Sequence, residues 1–521
     1  MHPCGSLGIS VVGRERCSAT LSTNHQIRKS NPCFRFLASI GGLYHIVARP
    51  PLAYNARMIP ENDVYQSPFS WRYGSPEMRA VWSETYKRRL WRRIWVALAE
   101  VEAAYGLVSL EQVAELRAHQ EQVDLGRSLE IEAIIHHDLM AELKAFAEQA
   151  PAGGRALHLG ATSMDIEDNA DALRIRQALD LLLDRLRATL LLFAGLVERY
   201  AQTSLIAFTH LQPAEPSTLG YRLAQYAQDL LADWQHLREV RRQVRGKGFK
   251  GAVGTGASFA DLVGKERLEG FEQHLSRQLD LPFYPVATQV TPRKQEYRIV
   301  SALAGVAASL YRFAFDLRLL QSPVIGEVRE PFGEQQVGSS AMPFKRNPIL
   351  AEKVNSLARY LAQMPRIAWD NAAHSLLERT LDDSANRRSL LPESFLAADE
   401  ILLVAQRILS GLQVDEAAMS RNLATYGPFA AVERVLIALG KAGADRQEMH
   451  ERLRQIAMQA WQAIQQGKPN PLAGLIQQDP EILRYLTAQD LRSLMDVRGY
   501  VGDAPQRARA LADQLRAAMQ E

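Results

Sequence analysis

The sequence predicts an all-α protein: a central bundle of long helices with smaller helical domains on its N- and C-terminal sides. Apolar residues recur at three- and four-residue spacings from Glu84 onward, which is the period of an amphipathic helix. One helical pattern covers residues 163–200, far longer than an average helix, and alternating β-type runs are nearly absent. A pattern of that length indicates a long bundle rather than compact globin-like packing.

The ends of the predicted helices are marked by residues that cap or stop a helix. The pattern over residues 83–106 ends on Gly106, a natural C-terminal cap, and the pattern over 128–150 stops before Pro151. Ser163, followed by acids, opens the longest helix in a way that suits a helix N-terminus. Further long helices are expected over residues 215–245, 293–320, 348–372 and 388–411.

These patterns divide the chain into three predicted domains that follow an N-terminal extension. Residues 58–162 form an N-terminal helical domain, and residues 163–414 form the central long-helix bundle. Residues 415–521 carry shorter helices separated by Gly and Pro, which predicts a smaller C-terminal helical domain.

The first 57 residues differ in composition from the rest and contain a single acid, Glu15. An Arg- and Ser-rich, acid-poor segment is typical of a targeting peptide. We favour a disordered extension or a mis-assigned start, with Met58 as the natural first residue. No secretory segment is convincing, so we expect a cytoplasmic protein.

All three cysteines lie within the first 57 residues, at Cys4, Cys17 and Cys33. A disulfide framework, a thiolate metal site and a catalytic cysteine are therefore excluded from the main body.

Charge and hydropathy give no sign of nucleic acid or a membrane as a partner. Lys and Arg total 61 against 58 Asp and Glu, a formal net charge of +3, so any preference for anions must come from local clusters. The longest apolar stretch, residues 300–315, is interrupted at Arg312 and Asp316 before it could span a bilayer. A Gly-rich stretch at 251–259 lacks the Lys-Ser/Thr ending of a phosphate-binding loop. The basic stretch at 241–251 lacks aromatic residues that would favour nucleic acid.

Chemistry is expected on polar segments between the rigid helices. Three loops are rich in Gly, Ser, Thr and His, and a fourth segment is rich in Arg and Asp: residues 153–165, 207–218, 333–348 and 378–388. His137, His158 and His210 each lie beside hydroxyls or a carboxylate. Singly, each is more often a structural histidine, but together they could supply a proton donor near neutral pH.

Basic residues cluster on irregular segments: Arg72, Lys345, Arg346, Arg379, Arg387 and Arg388. A solvated charge run is the simpler interpretation of such residues. Ser384 and Asn386 lie close by and add hydrogen-bonding groups suited to a phosphate or carboxylate. The combination favours an anionic small molecule as substrate.

The segment GSSAMPFKRNP (338–348) combines a glycine, two serines and a lysine in a way that a packed core does not require. A serine hydroxyl titrates far above neutrality, so it needs nearby cations and N–H donors to act as a base. Glycine would let the loop close over substrate and exclude water. Pro348 suits the first turn of the next helix, whose N-terminus favours negative charge. These features suit removal of a carbon-bound proton next to a carboxylate, that is, a β-elimination.

The same segment resembles the signature of the fumarase/aspartase superfamily, whose members eliminate fumarate from succinyl compounds. Further similar motifs run in order over residues 65–395: RYGSPEM, HHDLMAE, HLGATSMDIEDN, THLQPAEPSTLGYR, TQVTPRKQEYR and ERTLDDSANRRSLLPESF. LDDSANRR together with RYGSPEM indicates the branch that acts on adenylosuccinate. The resemblance implies a homotetramer with a central bundle of long helices and active sites that are each shared between three chains.

The resemblance also implies a role for each matching residue. Ser339 would be the general base that takes the Cβ proton, and His210 the general acid for the departing nitrogen, oriented by Glu352. Lys345 and Asn347 would bind the succinyl carboxylates and the developing carbanion. His137 would also be catalytic. It would line the rest of the succinyl pocket together with Thr162, Ser163, Thr209 and Gln289. The phosphate and ribose would be held by Arg72, Tyr73, Arg379, Ser384 and Arg388, with Asp138 in the surrounding pocket.

The implied reaction releases fumarate from adenylosuccinate to give AMP, and from the succinyl-carboxamide ribotide SAICAR to give AICAR. No metal and no organic cofactor is implied. Gly256 and Lys353 stand where some relatives carry glutamine and arginine, and could adjust substrate preference. Two alternatives stay open: another lyase of the superfamily, such as an argininosuccinate lyase, and a non-catalytic helical oligomer that kept the fold.

Overall fold

The computed structural model describes residues 63–520, and these residues confirm the predicted all-α class. They contain twenty α-helices and two antiparallel two-stranded sheets. The interpretation of residues 1–57 lies outside the described residues.

Serine side chains begin several helices of the N-terminal region. Ser67, Ser75, Ser83 and Ser109 each accept a hydrogen bond from a backbone N–H in the first turn of the helix that follows. The helices of this region are α1 (Pro68–Trp71), α2 (Pro76–Val81), α3 (Glu84–Ala104), α4 (Leu110–His119), α5 (Leu125–Ile135) and α6 (Asp138–Gln149), followed by a 3₁₀ turn at Gly153–Ala156.

The central region holds the longest helices. Its elements are α7 (Ser163–Arg199), β1 (Ser204–Thr209), β2 (Gln212–Thr218), α8 (Leu219–Arg242), α9 (Ala257–Val263), a 3₁₀ turn at Lys265–Arg267, α10 (Leu268–Gln278), α11 (Lys294–Leu320), β3 (Val328–Arg329), α12 (Ile349–Leu361), α13 (Met364–Ala373), α14 (Asp382–Ser410) and β4 (Gln413–Val414). Strand β1 pairs with β2, and β3 pairs with β4.

The C-terminal region consists of shorter helices after one long one. They are α15 (Glu416–Lys441), α16 (Arg446–Gln465), α17 (Leu472–Gln477), α18 (Pro480–Leu483), α19 (Ala488–Met495) and α20 (Ala504–Ala518).

Several predicted boundaries were wrong, each for a local reason. The helix predicted over 128–150 is two helices, because His136 adopts a left-handed conformation (φ 54°) and His137 caps α6. The helix predicted over 215–245 begins at Leu219, after a hairpin that the sequence analysis missed. The helix predicted over 348–372 breaks before α13, where Pro365 occupies the first turn.

Helices α7 and α8 form an antiparallel pair at the centre of the bundle. They meet where the Gly220 N–H donates to the carbonyl oxygen of Tyr200 (2.8 Å). Near the other end of α8, Arg241 pairs with Asp180 of α7 (2.7 Å). With 37 residues at about 1.5 Å each, α7 is about 55 Å long, so it sets the length of the bundle.

Helix α11 runs parallel to α7. Just before α11 begins, the Thr291 N–H donates to the Asp168 carboxylate near the start of α7 (2.7 Å). Near its end, Asp316 accepts from the Tyr226 hydroxyl in the second turn of α8 (2.6 Å). We call the end of the bundle that holds Ser163 the Ser163 end, and the end that holds the β1–β2 hairpin the hairpin end.

Three hydrophobic clusters fill most of the interior, and they do not follow the predicted domain boundaries strictly. The largest joins α7, α8, α11, α12 and α14, and it also takes in Leu515 of the last helix. A second joins the N-terminal helices to Phe249, Phe259 and Phe271. A third lies among α15–α19. The division at 162 and 414 stays a prediction.

Two of the described helices, α11 and α15, are long and apolar enough to cross a membrane by length and composition alone. Core helices of ordinary globular folds meet the same criterion. Half of the apolar window of α11 is buried inside this chain, where α11 packs against α8, α12, α13 and α14.

Candidate active site

The N-terminal end of α7 is fixed by a capping box. The Thr162 N–H donates to the Asp165 carboxylate (2.9 Å), and Ser163 is the first helical residue. Asp165 is buried and also accepts the backbone N–H groups of Lys250 and Gly251 (both 3.1 Å). A single carboxylate, which the sequence analysis did not single out, thus anchors the loop at 246–251 against the start of α7.

His137 lies next to Ser163. As the N-cap of α6, His137 accepts the Met140 N–H at Nδ1 (3.5 Å), and its Nε2 lies 3.4 Å from Ser163 Oγ. The imidazole and the Ser163 hydroxyl are therefore within hydrogen-bonding distance of each other. The structure therefore brings His137, Thr162 and Ser163 together at the Ser163 end.

A cleft beside this group holds Ser384 and Arg388, two of the predicted phosphate ligands of the last motif. Arg388 donates to Asp138 (2.9 Å), and both residues line the cleft together with Ser384. Burial alone would raise the pKa of Asp138. Arg388, the Leu139 N–H and Lys87 outweigh burial and hold that pKa below its ordinary value, so Asp138 is the counter-ion of Arg388 in this chain.

A buried ionic network lies next to this cleft. Arg293 pairs with Asp168 (3.0 Å) and Asp383 (2.6 Å), and Asp383 in turn pairs with Arg379 (2.8 Å). Burial would raise the pKa of Asp383, but the surrounding arginines hold it below its ordinary value. The network joins α7, α11 and α14, so the position of Arg379 is tied to the core of the bundle.

The segment at 378–388 was predicted to be irregular, but helix α14 already begins at Asp382. Arg387 and Arg388 therefore lie on a helix. Arg387 is only 11% exposed and pairs with Glu296 (2.7 Å) and Asp171 (3.0 Å), which makes it a structural cation here. Gln289 lies against the same segment, because its N–H donates to the carbonyl oxygen of Glu378 (3.3 Å).

Arg72 and Tyr73 follow the short helix α1. Arg72 is exposed, with its guanidinium 5.5 Å from the ring centre of Trp71. Tyr73 is half-buried and packs edge-on against Phe69 (ring centres 5.6 Å apart). The turn that follows them lies against the middle of α14.

The loop at residues 338–348, whose sequence resembles the superfamily signature, lies at the hairpin end. Asn347 donates from its side-chain amide to the carbonyl oxygen of Gly338 (3.0 Å), which closes the loop. Ser339 Oγ accepts the Met342 N–H (3.1 Å), and Lys345 is exposed. A Cβ at Gly338 would overlap the carbonyl oxygen of Lys345, so this approach requires glycine.

Helix α12 follows directly, with Pro348 at the N-cap position. Buried Glu330 accepts the N–H groups of Leu350 (3.1 Å) and Ala351 (2.9 Å) and so caps the helix from another segment. Nothing in the sequence around Glu330 indicated this role. Glu352 lies in the first turn of α12, half-exposed and 3.9 Å from Arg318.

Thr209 and His210 lie in a β-hairpin, not in the loop predicted over 207–218. Thr209 ends β1, and His210 and Leu211 form a two-residue turn in which both have positive φ (52° and 59°). Turns of this kind match the twist of paired strands but usually employ Asn or Gly. The turn leaves the His210 ring exposed.

The remaining candidate histidine, His158, is packed within the N-terminal region. Its Nδ1 accepts the indole N–H of Trp95 (3.1 Å), and burial lowers its pKa. A neutral His158 that holds Trp95 fits a structural role.

Within one chain most candidate residues form groups at the two ends of the bundle, while Arg72 and Tyr73 lie beside the middle of α14. At the Ser163 end are His137, Asp138, Thr162, Ser163, Gln289, Arg379, Ser384 and Arg388. At the hairpin end are Thr209, His210, Ser339, Lys345, Asn347 and Glu352. The six residues of β1 span only about 20 Å. Even a hairpin folded back along the 55 Å helix therefore keeps its turn more than about 30 Å from Ser163. Among residues 63–520, no group of three or more His, Cys, Asp or Glu side chains could hold a metal ion.

Comparison with known proteins places this arrangement in a class. Residues 75–361 match the family described as Lyase, and residues 428–511 match the family described as Adenylosuccinate lyase C-terminus. The fold is similar to a 3-carboxy-cis,cis-muconate lactonizing enzyme from Pseudomonas putida (TM-score 0.77, 28% identity, 87% of this chain and 100% of that one). A fumarate lyase from Mesorhizobium sp. BNC1 is also similar (TM-score 0.75, 26% identity, 86% and 99%). The fold and these matches define a lyase of the fumarase/aspartase superfamily.

Sequence relatives narrow the class. The chain is 37% identical over 456 residues to the adenylosuccinate lyase of Saccharomyces cerevisiae, which covers 86% of this chain and 94% of that protein. It is 39% identical to the adenylosuccinate lyase of Schistosoma mansoni (77% and 84%) and 37% identical to that of Pyrococcus abyssi (84% and 95%). The chain therefore belongs to the adenylosuccinate lyase family and is a carbon–nitrogen lyase.

Proposed function

We propose that the enzyme releases fumarate from adenylosuccinate to give AMP, and from SAICAR to give AICAR. Family membership supports the first substrate. The observation that carries the proposal is the Ser163 end, where a cleft with Arg388 and Ser384 adjoins the His137–Ser163 pair. The cleft offers a cation and a hydroxyl to the phosphate of the substrate. The adjoining pair offers an imidazole and a hydroxyl to the succinyl end.

The reaction begins with proton transfer to Ser339. Its Oγ, ionised to the alkoxide after its own proton has passed to solvent, takes the proton from the Cβ of the succinyl group, and the electron pair stays on carbon as a carbanion delocalised into the adjacent carboxylate. The Met342 N–H, which already donates to Oγ, stabilises the negative charge on oxygen before transfer. Lys345 neutralises carboxylate charge and the Asn347 amide donates hydrogen bonds to the carboxylates, so the carbanion forms at lower cost.

Cleavage of the C–N bond completes the reaction. The carbanion pair forms the C=C bond of fumarate while the bonding pair leaves with nitrogen. His210 donates a proton to that nitrogen, and Glu352 orients the imidazole and stabilises its protonated form. Because no hydrogen bond joins His210 to Ser339 or Glu352 within residues 63–520, substrate and a second chain have to complete this geometry.

The division of the candidate residues between two ends supports a shared site. We propose a cytoplasmic homotetramer in which each active site takes residues from three chains, with small-molecule substrates and neither nucleic acid nor membrane as partner. A helical bundle whose sides pack against other copies can place the hairpin end of one chain beside the Ser163 end of another.

A substrate panel tests the proposal. Purified protein is assayed for fumarate release from adenylosuccinate, SAICAR and argininosuccinate, and kcat/KM is compared. We expect release from the first two only. Release from argininosuccinate alone would assign the chain to another branch of the superfamily. No release from any of them by a well-folded oligomer would favour the non-catalytic alternative.

A further inference from the structure

Two leucines adopt the left-handed backbone conformation. Leu211, the second residue of the β1–β2 turn, has φ 59°, and Leu377, in the segment before α14, has φ 47°. A side chain of this size makes the conformation costly, and glycine or asparagine would adopt it more readily. Backbone strain is concentrated at functional sites, so each leucine side chain is expected to make a contact that a smaller residue would not.

Neither side chain is covered within its own chain. Leu211 is 70% exposed, and Leu377 is 81% exposed. Leu377 also lies beside two further exposed leucines, Leu376 and Leu381, and we call these three residues the leucine patch. Single exposed leucines are common on protein surfaces. Exposed leucines that are strained or clustered indicate a surface that another molecule covers.

Leu211 and the leucine patch lie at opposite ends of the bundle, each next to residues of the proposed active site. Leu211 directly follows His210, so the two Cα atoms are about 3.8 Å apart. The leucine patch lies at the Ser163 end, where the Glu378 carbonyl oxygen accepts the Gln289 N–H (3.3 Å). A chain that brings its His210 to the Ser163 end of another chain must therefore bring Leu211 to the same place.

We propose that Leu211 of one chain packs on the leucine patch of a second copy and so holds His210 over the substrate; this rests on the proposed function. The partner is a second copy because, within one chain, the hairpin turn lies more than about 30 Å from Ser163. Removal of apolar side chains from water on both surfaces favours the contact. Leu211 is then a positioning residue, which fixes the tip of the hairpin while His210 donates its proton.

A contact within the same chain gives a different prediction. Leu211 also lines a cavity of about 680 Å³, together with Tyr426 and Trp461 of the C-terminal region. If its side chain serves only this cavity, substitutions in the leucine patch leave catalysis unchanged. If it serves the shared site, substitutions of Leu211 and of the leucine patch impair the same step.

The kinetic test uses Leu211→Asn and Leu377→Asn, because asparagine tolerates the left-handed backbone but removes the apolar contact. We expect each variant to lower kcat for adenylosuccinate about tenfold, because a misplaced proton donor slows the reaction. AMP affinity should stay within about twofold of wild type, and the unfolding temperature should not fall. Leu211→Met, which keeps an apolar side chain, should retain most of the activity. The control is Leu110→Asn, at an exposed leucine that begins α4, and it should behave like wild type.

The double variant Leu211→Asn/Leu377→Asn distinguishes one shared contact from two separate effects. If the two leucines touch, the double variant should lower kcat about as much as either single variant, because the contact is already lost. A loss of about 100-fold, the product of two independent tenfold effects, overturns the inference. Wild-type kcat in either single variant also overturns it.

Cross-linking tests the same contact without relying on catalysis. The natural cysteines of the full-length chain are first replaced by serine: Cys4, Cys17 and Cys33. The variant Leu211→Cys/Leu377→Cys is then treated with a short bismaleimide and separated on a denaturing gel. We expect a covalent dimer from this variant and from a co-expressed mixture of the two single variants. Each single variant alone, and Leu110→Cys/Leu211→Cys, should stay monomeric on the gel.

The outcomes separate the contact from the reaction. Absence of the covalent dimer from an assembled oligomer of the double cysteine variant overturns the inference. A covalent dimer together with a wild-type enzyme that releases no fumarate would support the contact and refute the proposed function.

Discussion

Ser163 and His210 are held apart by the length of one helix: Ser163 is the first residue of α7, and His210 lies in the hairpin that follows its last residue. With a helix about 55 Å long, the two side chains cannot reach one substrate within a chain. His137, in contact with Ser163, is separated from His210 in the same way.

This separation predicts complementation between two inactive variants. His137→Ala and His210→Ala should each abolish turnover, because each removes one member of every site. When the two variants are co-expressed and assemble at random, a site is intact only if both contributing chains supply a native residue. About a quarter of wild-type activity should return, since each contribution succeeds in about half of the chains.

A co-expressed pair of Ser339→Ala and Ser339→Gly is the control, because no arrangement of these chains contains a native Ser339. It should stay inactive. If the His137→Ala and His210→Ala pair also stays inactive while forming mixed oligomers, the shared site is contradicted.

Replacement of the proposed base should separate catalysis from binding. We expect Ser339→Ala to lower kcat at least about 10³-fold, because proton removal from carbon then has no positioned acceptor. AMP should bind with nearly unchanged affinity, measured by isothermal titration calorimetry. Ser340→Ala, at the exposed neighbouring serine, is the matched control and should stay active. Loss of activity in Ser340→Ala with retention in Ser339→Ala would transfer the role of base to Ser340.

Arg388 should bind the phosphate, replacing its present partner Asp138. Arg388→Ala removes a charge-assisted hydrogen bond, so AMP affinity should fall about 10- to 100-fold. The salt dependence of AMP binding should weaken as well, because one cation of the site is gone. The control is Arg454→Ala, at an arginine that pairs with Glu451 on the exposed surface of α16. AMP binding that responds equally to both variants would contradict the assignment.

Glu102 predicts a pH dependence of stability that is independent of catalysis. Its carboxyl is buried in α3, neither oxygen has a hydrogen-bond partner among the described residues, and burial raises its pKa to about 8. The folded chain therefore holds a proton that the unfolded chain releases near pH 4.5. This stabilising contribution is complete below that pH and is lost as pH rises toward 8.

As the pH rises from about 5 to 8, the free energy of unfolding of wild type should therefore decrease by about 1.4 kcal/mol per pH unit. The unfolding temperature should fall with it. Glu102→Gln removes the titration, so its unfolding temperature should vary less over this range and exceed that of wild type most clearly at pH 8. Glu111→Gln, at an exposed carboxyl, should leave the pH dependence unchanged. Parallel pH curves for wild type and Glu102→Gln would refute the prediction.

The sequence predicted the features that depend on local signals. The start of α7 at Ser163 follows from a capping pattern, and the extent of α3 follows from its apolar period and a C-terminal glycine. The hairpin was missed because residues 204–218 contain two prolines and little alternation, and the turn at His210 and Leu211 lacks Gly or Asn.

The interactions that fix the site depend on partners far apart in the chain. Arg293 meets Asp168 across 125 residues, and Glu400 meets Gly74 across 326. In sequence, Asp399 and Glu400 have the pattern of surface acids on a helix. Only the fold shows that they accept hydrogen bonds from the backbone of Gly74 and Ser75, which packs on α14. The arrangement of groups at opposite ends of the bundle is likewise a property of the fold, since motif order along the chain does not give distance.

The most direct test of the central claim is a stoichiometric assay of purified protein with adenylosuccinate, with fumarate and AMP quantified together. The account predicts equal amounts of the two products from wild type and neither from Ser339→Ala. Products formed at the same rate by Ser339→Ala, or no fumarate from a correctly assembled wild-type oligomer, would contradict it.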